Sequence, residues 1–356
     1  MDAADPRRPT GYWVPTRAED LRAILTDTDH FSSDGVAGFS ALIGESWPLI
    51  PAELDQPEHT KFRQFLNPMF SVTAMKAWVP RAREFATLLI DDLVKGDQCE
   101  FQSGFARPFP IRIFLEVMGL SQSRFDDIVA WGHDLHEGMS MAQRVRGATA
   151  IGVFLRDQIA AVRRTPRDGV LSRIVNGDIE GHAFTDDEII GMVYLLFTGG
   201  IHTVTASLGF QFDHLGRNPE LQTRLRGNPD LIPAAIEELL RAYSVVNSFR
   251  LVTKDIVIAG ITMKAGDWVQ IPLPIVNYDV DAFANPDTIN IDRKANRHFA
   301  FSSGIHFCLG LHLARQEMRI AWEEWLQRIP PFRVSEQIQV SVGPLLGVDK
   351  LVLGWS

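Results

Sequence analysis

From Asp186 to about Arg217 the chain reads as one apolar helix of roughly 30 residues, opened by a Thr185/Glu188 capping box and stopped at Asn218-Pro219. A helix of that length and character must cross the core of whatever fold contains it. Its most apolar run, Ile189 to Ile201, is broken by Gly191, Thr198, Gly199 and Gly200 and is shorter than the ~18 residues that span a bilayer, so a buried helix is expected. Adjacent glycines cost roughly 1 kcal/mol each against alanine in a helix. Gly199-Gly200 therefore asks for close packing or a local opening of the backbone.

Around this helix the pattern is mainly α. Thr16 and Glu19 have capping-box spacing ahead of Ala23, Ile24 and Leu25, and Pro57 stands at a first helical position before His59, Phe62, Arg63 and Leu66. Further helices are expected over Met75–Val94, Arg124–Glu137, Ala142–Arg164, around Ile236–Ala242, and from Leu309 to Ile329. Phe249–Ile271 reads as strand, with hairpin turns at Gly260 and at Ala265-Gly266-Asp267. No linker or repeat divides the chain, so residues 1–356 are expected to form one mainly α domain with a small β region. The 35 Lys+Arg against 44 Asp+Glu give a net charge of -9, which argues against nucleic acid or an anionic membrane as partner. Two cysteines and a start without an apolar signal core point to the cytoplasm.

The chemistry concentrates before the last helix, in Phe301-Ser-Ser-Gly304-Ile-His306-Phe-Cys308-Leu-Gly310. A lone cysteine is usually a buried small hydrophobe, but the five fixed positions F-x-x-G-x-H-x-C-x-G arise by chance in only ~2 in 100,000 chains of this composition. A thiolate at a helix N-terminus also meets unsatisfied N–H groups and the positive end of the dipole. This loop resembles the haem-thiolate loop of the cytochrome P450 family. The resemblance implies the P450 fold, with haem b between the central helix and the Cys-loop helix, Cys308 as iron ligand, Phe301 beside it, and Gly304 and Gly310 letting the backbone pass a flat macrocycle. Ser302 departs from the glycine usual after the Phe.

Three further segments fit the same family. Glu238 and Arg241 share a helix face, by itself an ordinary solvated pair; in the family such a pair joins a later arginine, here Arg293, in a structural network. His59 and Arg63, four apart, match a pair that binds haem propionates together with an Arg on the following strand, Arg250, and the loop histidine, His306. Gly199, Gly200, His202 and Thr203 match the oxygen-binding groove, whose Thr hydroxyl serves the bound dioxygen. His202 replaces the usual acid and is expected either to relay protons or simply to pack.

In matching order the resemblance covers Gly11 to Trp355. It is closest to the camphor-hydroxylase branch through His30-Phe-Ser-Ser33, Gly199-Gly200 and Gly347–Trp355, and the family's segment before Gly11 is expected to be missing. By position Trp47, Leu195, Thr198, Val246 and Leu345 line an apolar pocket suited to a small hydrophobic, terpenoid-like substrate, while Trp47 in place of a ketone-binding Tyr removes the case for camphor itself. The resemblance implies a monomeric monooxygenase using O2 and two electrons from a [2Fe-2S] ferredoxin and its NAD(P)H-dependent reductase. The ferredoxin is expected on the Cys308 side, where Arg293, Lys294, Arg297, Arg315 and Arg319 outnumber Asp292 and Glu317, with Lys61 and Arg63 nearby. A peroxide-dependent peroxygenase, against which Thr203 counts, and a non-catalytic haem redox sensor share the same signature.

Overall fold

The Thr185 hydroxyl accepts from Glu188 N at 3.2 Å and the Glu188 carboxylate accepts from Thr185 N at 2.7 Å, so the central helix starts where the capping box places it. The computed structural model describes residues 11–136, 138, 140–343 and 345–355. The central helix does not run unbroken to Arg217. It spans Asp186–Ile201, bends at His202 and resumes as Thr203–Arg217. At the joint the Thr203 hydroxyl donates to Gly199 O at 2.9 Å, taking up a carbonyl of the preceding turn. Across the bend Asp186–Arg217 is long and apolar enough to cross a membrane, yet its most apolar window is 78% buried in the protein, as befits a core helix.

The Pro108–Met118 helix packs against it, and a Cβ on Gly200 would come within 2.5 Å of the Phe114 ring. Gly200 is thus a close-packing glycine. Met141–Arg164, opened by a Ser140/Gln143 capping box, lies beside Phe125–His136. The Leu311–Arg328 helix packs on Val79–Leu93 and on Ile232–Ala242. A separate, smaller core of Leu21, Ile24, Phe31, Val252, Val269, Ile271 and Phe299 lies about a three-stranded antiparallel sheet, Phe31–Ser32, Asn247–Val252 and Trp268–Pro272.

Several boundaries differ from expectation. Thr16 caps nothing: the first helix is Ala18–Thr26, and Ala18 N donates instead to Asp279 Oδ2, 261 residues on, at 2.7 Å. Met75–Val94 is two helices, Val72–Lys76 and Val79–Leu93. The Arg124–Glu137 helix starts at Phe125, and Glu137 lies outside the described residues. Gly260 does turn a hairpin, but the turn at Gly266 leads from that hairpin into Trp268–Pro272, which pairs with Asn247–Val252. A second three-stranded sheet, Gln98–Glu100, Val352–Trp355 and Phe332–Val334, left no alternating pattern long enough to read.

Between Ser33 and Leu54 the chain forms a strap over the central helix. Ile50 N donates to Gly191 O at 3.3 Å. The buried Glu53 carboxylate accepts from Ala37 N at 2.7 Å, Gly38 N at 3.1 Å and Leu49 N at 2.8 Å. Glu45 takes both the Trp47 indole N–H and Arg156 of the Met141–Arg164 helix.

Candidate active site

Cys308 is held in a tight loop ahead of its helix. Ser302 N donates to Phe299 O at 2.7 Å, Phe307 N to Gly304 O at 3.2 Å and Cys308 N to Phe301 O at 3.0 Å. Burial pushes the Cys308 thiol up, while the amides of Gly310 and Leu311 at the helix start, with Arg63 and Arg315, pull the other way. Phe301 is nearly buried beneath the Arg315 guanidinium, 4.5 Å from its ring centroid. A Cβ on Gly310 would meet nothing within 4 Å, so open space lies there. A Cβ on Gly304 would strike Leu25 O at 2.1 Å, so the close approach of the first helix by itself demands a glycine there.

Ser302 has φ of +65°, the left-handed region that glycine enters freely. Ser302→Gly should therefore stabilise the protein by about 0.5–1 kcal/mol, the left-handed penalty less glycine's entropy. Denaturant midpoints read this; a loss of stability would contradict it.

Four cationic or ionisable donors converge beside this loop. His59, 2% exposed on the Glu58–Leu66 helix, has its ring centroid 4.5 Å from that of His306. Neither ring nitrogen of His59 has a hydrogen-bond partner among the described residues. His306 Nε2 lies 3.0 Å from Ser33 Oγ, Arg63 Nη1 donates to Phe307 O at 2.9 Å, and among the described residues buried Arg250 donates only to Phe249 O, at 2.8 Å. Burial, then the Arg63 and Arg250 charges, drives His59 down to about 4. Burial and the same arginines take His306 to about 3. Burial also lowers Arg250 to about 10, against the opposing pull of Asp55. That carboxylate is engaged by Ser32 Oγ and by Ser33 N. Such a cluster is short of anions, and two carboxylates from a ligand would satisfy it.

One pH dependence follows. Because the folded protein holds His59 near 4 against an ordinary 6.5, the unfolded chain binds more protons between those values. Haem-free protein should lose stability as pH falls from 6.5 toward 4. In denaturant unfolding at pH 7 and pH 5, His59→Phe should show the smaller loss; an equal loss would count against the assignment.

On the central helix, Leu195, Gly199 and Thr203 share one face at i, i+4 and i+8. Gly199 is exposed and Leu195 and Thr203 are half-exposed, and a Cβ on Gly199 would meet nothing within 4 Å. That face also borders open space. His202 is 4% exposed and points elsewhere: a Cβ on Gly132 of the Phe125–His136 helix would come to 2.5 Å from its Nε2, and its ring lies 4.1 Å from that of His136. Of the two readings of His202, packing is the one this placement favours, and burial holds its pKa well below the ordinary range.

The profile of the cytochrome P450 family matches residues 153–346. Probable cytochrome P450 127A1 of Sinorhizobium fredii is 41% identical over 350 residues, 97% of this chain and 84% of that protein. The chain belongs to the cytochrome P450 family. It is a P450 monooxygenase, an oxidoreductase. The steroid C26-monooxygenase of Mycolicibacterium smegmatis is 32% identical over 82% of this chain and 75% of its own length. Among solved structures, the tirandamycin C-bound P450 monooxygenase TamI superposes with a TM-score of 0.89 at 30% identity, covering 97% of this chain and 90% of the other. CYP101J2 gives 0.87 at 31%, over 97% and 88%.

In this P450, Glu238, Arg241 and Arg293 meet in the interior. Arg241 grips Glu238 with two bonds of 3.0 Å, Arg293 Nε adds one of 2.9 Å, and Asn290 N another of 2.9 Å. Burial alone would raise the Glu238 pKa, and these donors hold it low instead. Arg241 and Arg293 also bind the carbonyls of Asn277 and Ala284, at 2.9 and 2.7 Å, pinning the aperiodic stretch ahead of the Cys loop. The pocket residues separate. Leu195 is half-buried against the main core. Trp47 and Thr198 are buried, Trp47 with its ring centroid 5.0 Å from that of Tyr194 at a 51° tilt and Thr198 bonded to Tyr194 O at 3.0 Å. Val246 and Leu345 pair through an isolated antiparallel bridge.

The basic patch is thinner than its composition implied. Arg293 is in the Glu238 network, Arg315 is held by Glu237 at 2.6 Å, Arg319 by Glu323 at 2.6 Å and Lys61 by Glu58 at 3.1 Å. Lys294 and Arg297 keep no ion-pair partner among the described residues. Sequence reading missed Asp55, Glu237 and His298; Glu237 bridges Arg315 and His298 across 78 and 61 residues, and only spatial proximity reveals such a link.

Proposed function

We propose that this P450 binds haem b through Cys308 and hydroxylates a small hydrophobic, terpenoid-like substrate, with O2 and two electrons from a [2Fe-2S] ferredoxin and its NAD(P)H-dependent reductase. The supporting observation is the convergence of one helix-start cysteine and four donors short of anions, with a glycine beside the cysteine and one on the central helix whose Cβ positions each meet open space. Haem bound there would supply the activation of dioxygen and the transfer of one oxygen atom to a C–H bond. His59, Arg63, Arg250 and His306 would bind its two carboxylates, and Phe301 and Gly310 would flank the thiolate. Leu195 and Gly199 leave apolar room above; Thr203 holds a proton at Oγ1, on Gly199 O, that it can turn toward a bound oxygen. Trp47, Thr198, Val246 and Leu345 shape the pocket from behind. A steroid-oxidising relative supports an apolar substrate. We place the protein in the cytoplasm, as a monomer acting as one domain.

With NADH, ferredoxin, reductase and 18O2, the haem-loaded protein should deliver one labelled oxygen to product; turnover with hydrogen peroxide alone and none with the electron chain would favour the peroxygenase instead. Reduction should slow as salt rises, and Arg297→Glu should slow it several-fold at low ionic strength. A rate indifferent to both would remove the electrostatic contact.

A further inference from the structure

We infer that a cavity beside the Cys308 loop is a binding site for a phosphoryl group, a tetrahedral dianion carried either as inorganic phosphate or as a phosphate monoester. The site is separate from the cluster proposed to hold haem, since none of His59, Arg63, Arg250 and His306 lines it. It encloses about 250 Å³ between four segments distant in the chain: the first helix, the Ile232–Ala242 helix, the Cys loop and the Leu311–Arg328 helix. Charge decides what can enter. Arg22, Arg297 and Arg315 line the cavity against one carboxylate, Glu237, an excess of two positive charges in a chain whose net charge is -9. That carboxylate is already engaged by Arg315 at 2.6 Å and by His298 at 3.1 Å. Arg22 and Arg297 have no ion-pair partner among the described residues, and the Arg22 guanidinium rests 4.8 Å from the centroid of the Phe299 ring. Like charges gathered about one cavity repel one another until an anion enters.

Ser302 supplies an independent observation. Its φ of +65° costs any residue with a side chain, and serine stands where glycine would sit without strain. Ser302 and Ser303 both line the cavity, and neither hydroxyl makes a hydrogen bond among the described residues. Strain of this kind persists where the side chain has a use. Two hydroxyl donors beside guanidinium forks make a donor set for three or more oxygens at once, more than a carboxylate offers. A phosphate monoester near neutral pH brings about two negative charges, which match the excess on the wall. Phe307, 38% exposed, gives the same cavity an apolar margin on which the carbon part of an ester can rest.

The test is calorimetric titration of the haem-loaded protein, at fixed ionic strength, with inorganic phosphate, phenyl phosphate and acetate. Phosphate should bind at least about tenfold tighter than acetate, because it carries more charge and more acceptor oxygens. Phenyl phosphate that competes with phosphate and binds tighter would identify an ester as the occupant; otherwise the occupant is the free ion. Arg22→Gln and Arg297→Gln should each weaken phosphate about fivefold or more. Lys294→Gln removes an exposed base that does not line the cavity and should change the affinity by less than about twofold. Ser302→Gly is the sharper variant. It should bind phosphate about tenfold more weakly while its denaturant midpoint rises, a combination that structural damage does not produce. Phosphate bound no tighter than acetate, affinity undiminished in Ser302→Gly, or a loss in Lys294→Gln equal to that in Arg297→Gln would overturn the inference.

Discussion

Serine in place of Cys308 is expected to abolish the red-shifted Soret band of the reduced carbonyl complex and to reduce electron-driven turnover to background. The effect is large because the other thiol, that of Cys99, cannot substitute. Cys99 is buried in the Gln98–Glu100 strand, paired with Leu353, and burial with the neighbouring Glu100 pushes its thiol up to about 12. A serine hydroxyl at 308 would receive the same Gly310 and Leu311 amides but is far too weak an acid to give the strongly donating anion that a thiolate offers iron. Cys99→Ser should leave the band untouched. A band that survives in Cys308→Ser, or disappears in Cys99→Ser, would show that the ligand is elsewhere.

Glu238→Ala should cost about 3–5 kcal/mol, the penalty for leaving buried charge without its partner. Arg241 and Glu238 are 0% and 1% exposed, and Arg293 comes to the same carboxylate. Removing the acid strands two guanidinium groups and the Asn290 amide at once. Against a total stability of about 5–15 kcal/mol, that much leaves little folded protein. Glu238→Gln, which keeps an acceptor for some of these donors, should fall between. Unfolding midpoints and the haem content of the purified variants read the effect; a loss below about 1 kcal/mol would mean the network contributes little.

What could be read beforehand divides along a physical line. The Thr185/Glu188 box was legible because both partners lie within one turn, and the Cys308 loop because its five fixed positions fall between Phe301 and Gly310. Thr16/Glu19 had the same spacing and failed because Asp279, distant in sequence, reaches Ala18 N first. The Gln98–Glu100, Val352–Trp355 and Phe332–Val334 sheet consists of strands three or four residues long whose partners are far apart in the chain. Within the site, residue types carried the thiolate and the cationic cluster, but not orientation. His202 stands next to Thr203 in sequence, and only the bend decides that one faces the Phe125–His136 helix and the other the open face.

The strap's reliance on one carboxylate has a consequence for how this segment yields. Ala37, Gly38 and Leu49 hand their amide protons to the same side chain of Glu53, so the peptide between them is closed into a ring without a covalent link. A ring of this kind cannot unzip one rung at a time. Pulling the carboxylate away orphans three N–H groups together, each costing about 1–3 kcal/mol if it finds no water, so intermediate degrees of fraying are sparsely populated. Movement is channelled instead to the ends of the ring and to the Glu45–Arg156 contact outside it. A bulky guest would displace this stretch of chain as a hinged plate, its interior geometry intact.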